Sequence, residues 1–142
     1  MTEQRNIGRC YCGACSISTT ADPLTVLYCH CSDCRRWTGA ALPAFVAFTT
    51  GDVAVTPDVP SARYESGAVR QNCPDCGSPL TAAFPYLPDQ IYVPVGVLNN
   101  PDRYPPQLHC HVASKPKWLH IEDDLARETA SGRDTLNEAF DD

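Results

Sequence analysis

Three tight groups of cysteines carry the chemistry that can be read from this chain. They are Cys10-Tyr11-Cys12-Gly13-Ala14-Cys15, Cys29-His30-Cys31-Ser32-Asp33-Cys34 and Cys73-Pro74-Asp75-Cys76-Gly77. The total of nine cysteines is odd, so a disulfide framework would leave one over. Short spacings of this kind indicate metal or redox chemistry. The third group has the form of a zinc knuckle: two cysteines three apart, with a glycine directly after. That glycine lets the chain turn around an ion so that backbone amides face the thiolates. A closed tetrahedral site needs four ligands, and the first group also carries a Cys-Gly pair, Cys12-Gly13, so Cys10, Cys12, Cys73 and Cys76 are assigned to one structural zinc. A thioredoxin-like redox dithiol at Cys73 and Cys76 should open a helix, and Gly77-Ser78-Pro79 disfavours one there.

The second group differs in kind. Cys29, Cys31 and Cys34 offer three thiolates within six residues, and no fourth ligand pair remains elsewhere. Three protein ligands and one open position is the pattern of a catalytic zinc. Other arrangements stay open at this point. His30 could turn in as a fourth ligand, although neighbours on a strand face opposite ways. Cys15 or Cys110 could complete the set from a distance, or the three thiols could stay reduced without metal. Cys15 and Cys110 otherwise read as small core hydrophobes. His109 and His111 alternate along an expected strand and read as a solvated face. Trp37 and Trp118 read as packing residues or as one wall of a ligand cleft.

The elements that must position these groups read as strands. Thirteen prolines break up any long helix, and short apolar or β-branched segments recur between turn signals. Strands are expected near Cys15–Thr20, Leu24–Cys29, Ala44–Thr49, Ala62–Glu65, Val69–Asn72, Leu80–Phe84, Ile91–Val97, Leu108–Val112 and Trp118–Ile121. One short helix is expected over Asp33–Trp37. The fold class is therefore mainly β: a single zinc-stapled domain of short antiparallel strands in small packed sheets, with little helix. It should occupy residues 1–125, with 126–142 a polar C-terminal tail, either a frayed helix or loosely laid on the surface.

Charge and hydropathy narrow the partners. The net charge is −6 with only 11 lysines and arginines, which argues against nucleic-acid binding, since that draws on basic residues. No apolar run approaches the roughly 18 residues of a membrane span, and residues 1–8 lack the apolar region of a secretory signal. A cytoplasmic location, where thiols stay reduced, is expected. The partners left are small molecules, and the oligomeric state is undetermined.

With these groups in place, the chain resembles the glutathione-dependent formaldehyde-activating enzyme family, which also includes centromere protein V. The likeness rests on Gly8-Arg9-Cys10-Tyr11-Cys12-Gly13-Ala14, on Cys29 through Cys34 followed by Arg35-Arg36-Trp37-Thr38-Gly39, on Arg70 through Gly77, and on Ser114-Lys115-Pro116-Lys117-Trp118. It spans roughly Ile7 to Asp124. Asn72 departs from the pattern, because the family often carries an aromatic residue there. The resemblance implies a mainly β fold around a structural zinc and a second zinc on Cys29, Cys31 and Cys34, the catalytic group. It also implies the joining of glutathione and formaldehyde into S-(hydroxymethyl)glutathione, formally a carbon–sulfur lyase run in reverse. Three thiolates would leave a zinc site with a charge of −1. Arg35, Arg36 or Lys115 would offset that charge and bind the carboxylates of glutathione as co-substrate, with Trp37 beside them. The alternative function is a non-catalytic zinc module that recognises a protein partner.

Overall fold

The computed structural model describes residues 4–130. Its strands in chain order are β1 (Arg5–Arg9), β2 (Ser16–Thr19), β3 (Thr25–Cys29), β4 (Ala44–Thr49), β5 (Val53–Thr56), β6 (Ala62–Arg63), β7 (Val69–Asn72), β8 (Pro79–Ala83), β9 (Gln90–Pro94), β10 (Leu108–Cys110) and β11 (Ala126–Arg127). The one α-helix among the described residues, α1 (Ser32–Thr38), follows β3. The fold is mainly β, as expected. No described helix is long and apolar enough to cross a membrane.

The strands form two sheets. One has the order β1-β2-β5; the other runs β11-β10-β3-β4-β9-β8-β7-β6. Most neighbours are antiparallel, but β10 pairs with both β3 and β11 in parallel, a departure from the purely antiparallel expectation. The long connection from β9 to β10 supplies the return that a parallel pair requires.

Strand β4 explains how one chain makes two separate cores. Its run Phe45-Val46-Ala47-Phe48 is buried throughout, which marks a strand covered on both faces. Val46 and Phe48 pack with Cys10, Cys15, Ile17, Leu80 and Cys73. Phe45 and Ala47 point the other way, into a second cluster with Leu27, Cys29, Cys34, Tyr92 and Cys110. Successive side chains on a strand face opposite sides. The first and second cysteine groups thus lie in different cores, on opposite faces of β4.

Glycine matters where the two sheets meet. Gly8 of β1 bridges to Leu98, and a Cβ on Gly8 would lie 2.5 Å from the Val97 carbonyl oxygen. A side chain there would push the sheets apart.

Three details differ from the expected elements. Strands β1 and β5 add to the set; β1 reads Arg5-Asn6-Ile7-Gly8-Arg9 and is mostly exposed, so no apolar alternation marks it. Trp118–Ile121 is not a strand: Trp118 sits in a turn with 69% of its surface exposed, beyond the prolines that interrupt the segment. At the C-terminal end, Ala126–Arg127 pairs with β10 instead of starting a tail helix. Arg127 is pinned there by Asp123 and by the carbonyls of Ile121 and Leu125. The rest of the expected tail, residues 131–142, lies outside the described residues.

Candidate metal centres

The turn between β1 and β2 and the turn between β7 and β8 bring Cys10, Cys12, Cys73 and Cys76 together, with all four sulfurs within 4.8 Å of one another. Gly13 and Gly77 take left-handed backbone conformations, at φ 84° and 78°. Gly77 donates its N–H to the Cys73 carbonyl at 2.8 Å, closing the knuckle. The Cys10 and Cys12 sulfurs are 3.6 Å apart, and Cys12 lies 3.8 Å from Cys73. Tetrahedral thiolates at about 2.3 Å from a zinc ion would stand about 3.8 Å from each other, so the donor set fits that ion. Backbone amides already face the sulfurs: Cys15 N–H donates to Cys10 at 3.3 Å and Cys76 N–H to Cys73 at 3.5 Å. The Ser78 hydroxyl beside Cys76, with the Ser78 amide, holds that thiol down to about 5.

The second group is built by the end of β3 and the first turn of α1. Cys31 is the N-cap of α1, and its sulfur accepts the Cys34 N–H at 3.3 Å. Gly39 closes the helix in a left-handed conformation and donates to the Arg35 carbonyl. Cys29, Cys31 and Cys34 also lie within 4.8 Å of one another, and no fourth His, Cys, Asp or Glu donor joins them among the described residues. Cys29 donates to Cys31 across 3.3 Å. The Cys29 and Cys34 thiols press the Cys31 thiol down to about 2, and that anion in turn pushes Cys29 up. Three sulfurs thus share one negative charge through their protons. A divalent cation displaces such protons on binding, so this donor set also suits a soft metal ion.

His30 does not turn in as a ligand. Its side chain is buried on the far side, with Nε2 2.8 Å from His109 Nδ1, while His109 Nε2 lies 2.9 Å from Asp123 Oδ2. With the carboxylate as acceptor, His109 carries its proton on Nε2 and accepts from His30. Burial, with His109 adding to it, lowers the His30 imidazole to about 4, so this relay stays neutral at His30 near pH 7. It braces the Cys29–Cys31 segment from behind. The expected solvated face on His109 and His111 is therefore corrected. His109 is 1% exposed, and His111 has left the strand with φ 60°, the one positive-φ non-glycine among the described residues.

An apolar cavity of about 20 Å³ borders Cys29 and Cys34, with Phe84, Tyr86, Tyr92 and His111 on its walls. Cys110 lines it too, in register with Cys29 on the neighbouring strand. The expected glutathione contacts do not converge on one place. Trp37 faces a groove with Asp33, Arg36, Tyr64 and Arg70, whereas Lys115 lines a separate cavity beside His30 and His109. Lys115 is exposed and spends a donor on the Leu119 carbonyl. Arg35 is half-buried in α1.

Sequence reasoning missed Tyr86, the position of His111 and, above all, Arg70. Arg70 sits on β7 with 2% of its surface exposed and reaches both Asp33 and Cys34. A lone arginine in a polar strand reads as solvent-facing, and only the packing of α1 against β7 shows otherwise. Asn72, two residues on, accepts the Trp37 indole N–H at 2.9 Å and donates to the Gly77 carbonyl at 3.1 Å. The asparagine thus ties α1 to the knuckle of the first site.

Residues 5–114 match the family model of the glutathione-dependent formaldehyde-activating enzyme. A crystal structure of a Rhodobacter sphaeroides protein, a structural genomics target, superposes with a TM-score of 0.51 at 26% identity, covering 65% of this chain and 86% of that one. No curated protein sequence matches the chain.

Proposed function

The chain belongs to the glutathione-dependent formaldehyde-activating enzyme family, and on that premise we propose that it is a zinc-dependent enzyme joining a glutathione thiol to formaldehyde. The observation that carries this reading is a group of three thiols with no fourth donor among the described residues; two of the thiols, Cys29 and Cys34, line a cavity sized for one small molecule. A cavity of about 20 Å³ holds little more than one water-sized centre. It suits formaldehyde better than bulkier aldehydes.

The structural zinc belongs to Cys10, Cys12, Cys73 and Cys76, and the second zinc to Cys29, Cys31 and Cys34. Zinc in the second place would supply a cation that stabilises sulfur anions and polarises a carbonyl. The remaining work falls to the chain. In the reaction the thiol sulfur bonds to the carbonyl carbon, the carbon–oxygen π pair moves to oxygen, and the thiol proton ends on that oxygen. His111 and Tyr86 are the cavity's proton-handling groups. Burial pushes the Tyr86 phenol up, so it stays protonated and donates to the developing oxyanion. His111, turned toward the cavity by its left-handed backbone, takes the thiol proton and returns it to oxygen. Phe84, Leu87 and Tyr92 give the reacting carbonyl apolar walls. Thiols kept free for this chemistry suit a reducing, cytoplasmic compartment.

The reading favours an enzyme over a protein-binding zinc module, because a module needs two saturated metal sites and a flat apolar patch, not a concave cavity beside an incomplete donor set. The test is the rate at which glutathione and formaldehyde reach equilibrium with their adduct, followed by exchange NMR. Zinc-loaded protein should accelerate formation of the formaldehyde adduct and leave propionaldehyde addition at its uncatalysed rate. His111→Ala should reduce the acceleration by about 100-fold, within the range of general acid–base contributions. No acceleration with either aldehyde would contradict the reading.

A further inference from the structure

A zinc ion on Cys29, Cys31 and Cys34 carries a net charge of −1, and two of those sulfurs lie deep in an apolar core, Cys29 at 5% and Cys34 at 1% exposure. Buried charge of this kind needs a fixed counter-charge. Of the cations suggested by sequence, Arg36 and Lys115 are exposed, Lys115 is engaged with the Leu119 carbonyl, and Arg35 is half-buried on α1, its Nε making no hydrogen bond to a cysteine sulfur.

Arg70 is differently placed. Its NH2 group lies 3.9 Å from Cys34 Sγ and 2.6 Å from Asp33 Oδ2. The guanidinium stacks over Trp37 at 4.4 Å and faces the Phe84 ring at 5.4 Å. Two rings therefore fix its plane, and Asn72 fixes Trp37 in turn. Asp33 neutralises it only in part. That carboxylate is 47% exposed, and NH1 is buried with no hydrogen-bond partner. The strand that delivers Arg70 runs on directly into Cys73.

We infer that Arg70 is the counter-charge of the second metal site, a positioning residue whose guanidinium, fixed beside Cys34 Sγ, sets how tightly the three-cysteine group keeps its zinc. This rests on the proposed second zinc, and it adds a requirement that no cysteine pattern contains: a buried cation brought in from another strand. It also gives the aromatic box around the guanidinium a purpose, since cation–ring contacts hold the charge in place without neutralising it.

The experiment measures zinc affinity at both sites by competition with a chromophoric chelator, in the full chain and in two variants. The cobalt-substituted proteins, with their thiolate-to-metal charge-transfer band, provide a second readout. Arg70→Met keeps most of the bulk and the contact with the rings but loses the charge. It should weaken the second zinc by about 10- to 100-fold, the usual cost of losing an outer-shell partner, and leave the first unchanged. Arg70→Lys should recover most of the affinity and of the band. A folded Met variant with wild-type second-site affinity would overturn the inference. So would a Lys variant as impaired as the Met variant with both sites weakened alike, because that is the signature of a packing role. A wild-type chain that holds a single zinc would overturn the proposed function and this inference together; two zinc ions, both indifferent to Arg70, would overturn this inference alone.

Discussion

Cys76→Ala should lower the melting temperature by at least about 10 °C, or abolish cooperative unfolding altogether. The first metal site ties the turn after β1 to the turn after β7, joining positions 61 residues apart, and it sits where the two sheets meet. Cys10 and Cys73 belong to the core beneath them, at 1% and 2% exposure. A structural zinc contributes on the order of 10 kcal/mol in small domains, against a total stability of about 5–15 kcal/mol for a typical protein. Removing one of four ligands discards most of that contribution and leaves thiolates in an apolar core without their cation. At this chain length each kcal/mol is worth about 2–4 °C. Circular dichroism during heating, with wild type and variant both purified in zinc, reads the difference. A variant melting within a degree or two of wild type would show that the first site is not structural.

Cys31→Ser should do the opposite, ending catalysis and sparing the fold. Cys31 is half-buried, and its backbone role is to cap α1 through the bond from Cys34 N–H. Serine is among the best residues for an N-cap, so the helix keeps its start. What disappears is the sulfur that Cys29 and Cys34 both address. Loss of an outer-shell partner costs up to about 100-fold, and loss of a ligand should exceed that in the rate of glutathione–formaldehyde addition. The melting temperature should move by only a few degrees. If this variant unfolded as readily as Cys76→Ala, the division of labour between the two sites would fail.

The chain declares its cysteines openly and its cations poorly. The Cys-Pro-Asp-Cys-Gly and Cys-His-Cys-Ser-Asp-Cys segments carry their geometry locally, since turn glycines and a helix N-cap act within a few residues. The sequence therefore shows which sulfurs come together. Strands β3, β4, β7 and β8 were legible for the same reason, as short apolar or β-branched runs between turns. Strand β1 was hidden because its register is set by partners and not by its own alternation. The Val53-Ala54-Val55-Thr56 run of β5 did carry a strand signal between its flanking turns. His30 and His109 are 79 positions apart, and their bond depends on the parallel pairing of β3 with β10, which no local pattern announces. Arg70 is the clearest case. Its burial follows from α1 lying over β7, and its partners Trp37 and Asp33 sit more than thirty residues away. The departure at Asn72 had a similar explanation: without an aromatic ring there, the amide is free to take the indole N–H of Trp37 and so link the two sites.

The central claim is that one chain holds two zinc ions in two different ways. Elemental analysis of protein purified under reducing conditions, before and after a native-state chelator, measures this directly. Two zinc ions per chain are expected at first and one after chelation, with the chelated protein still folded and the last ion released only on unfolding. A single zinc at the outset, or two that leave together with the fold, would contradict it.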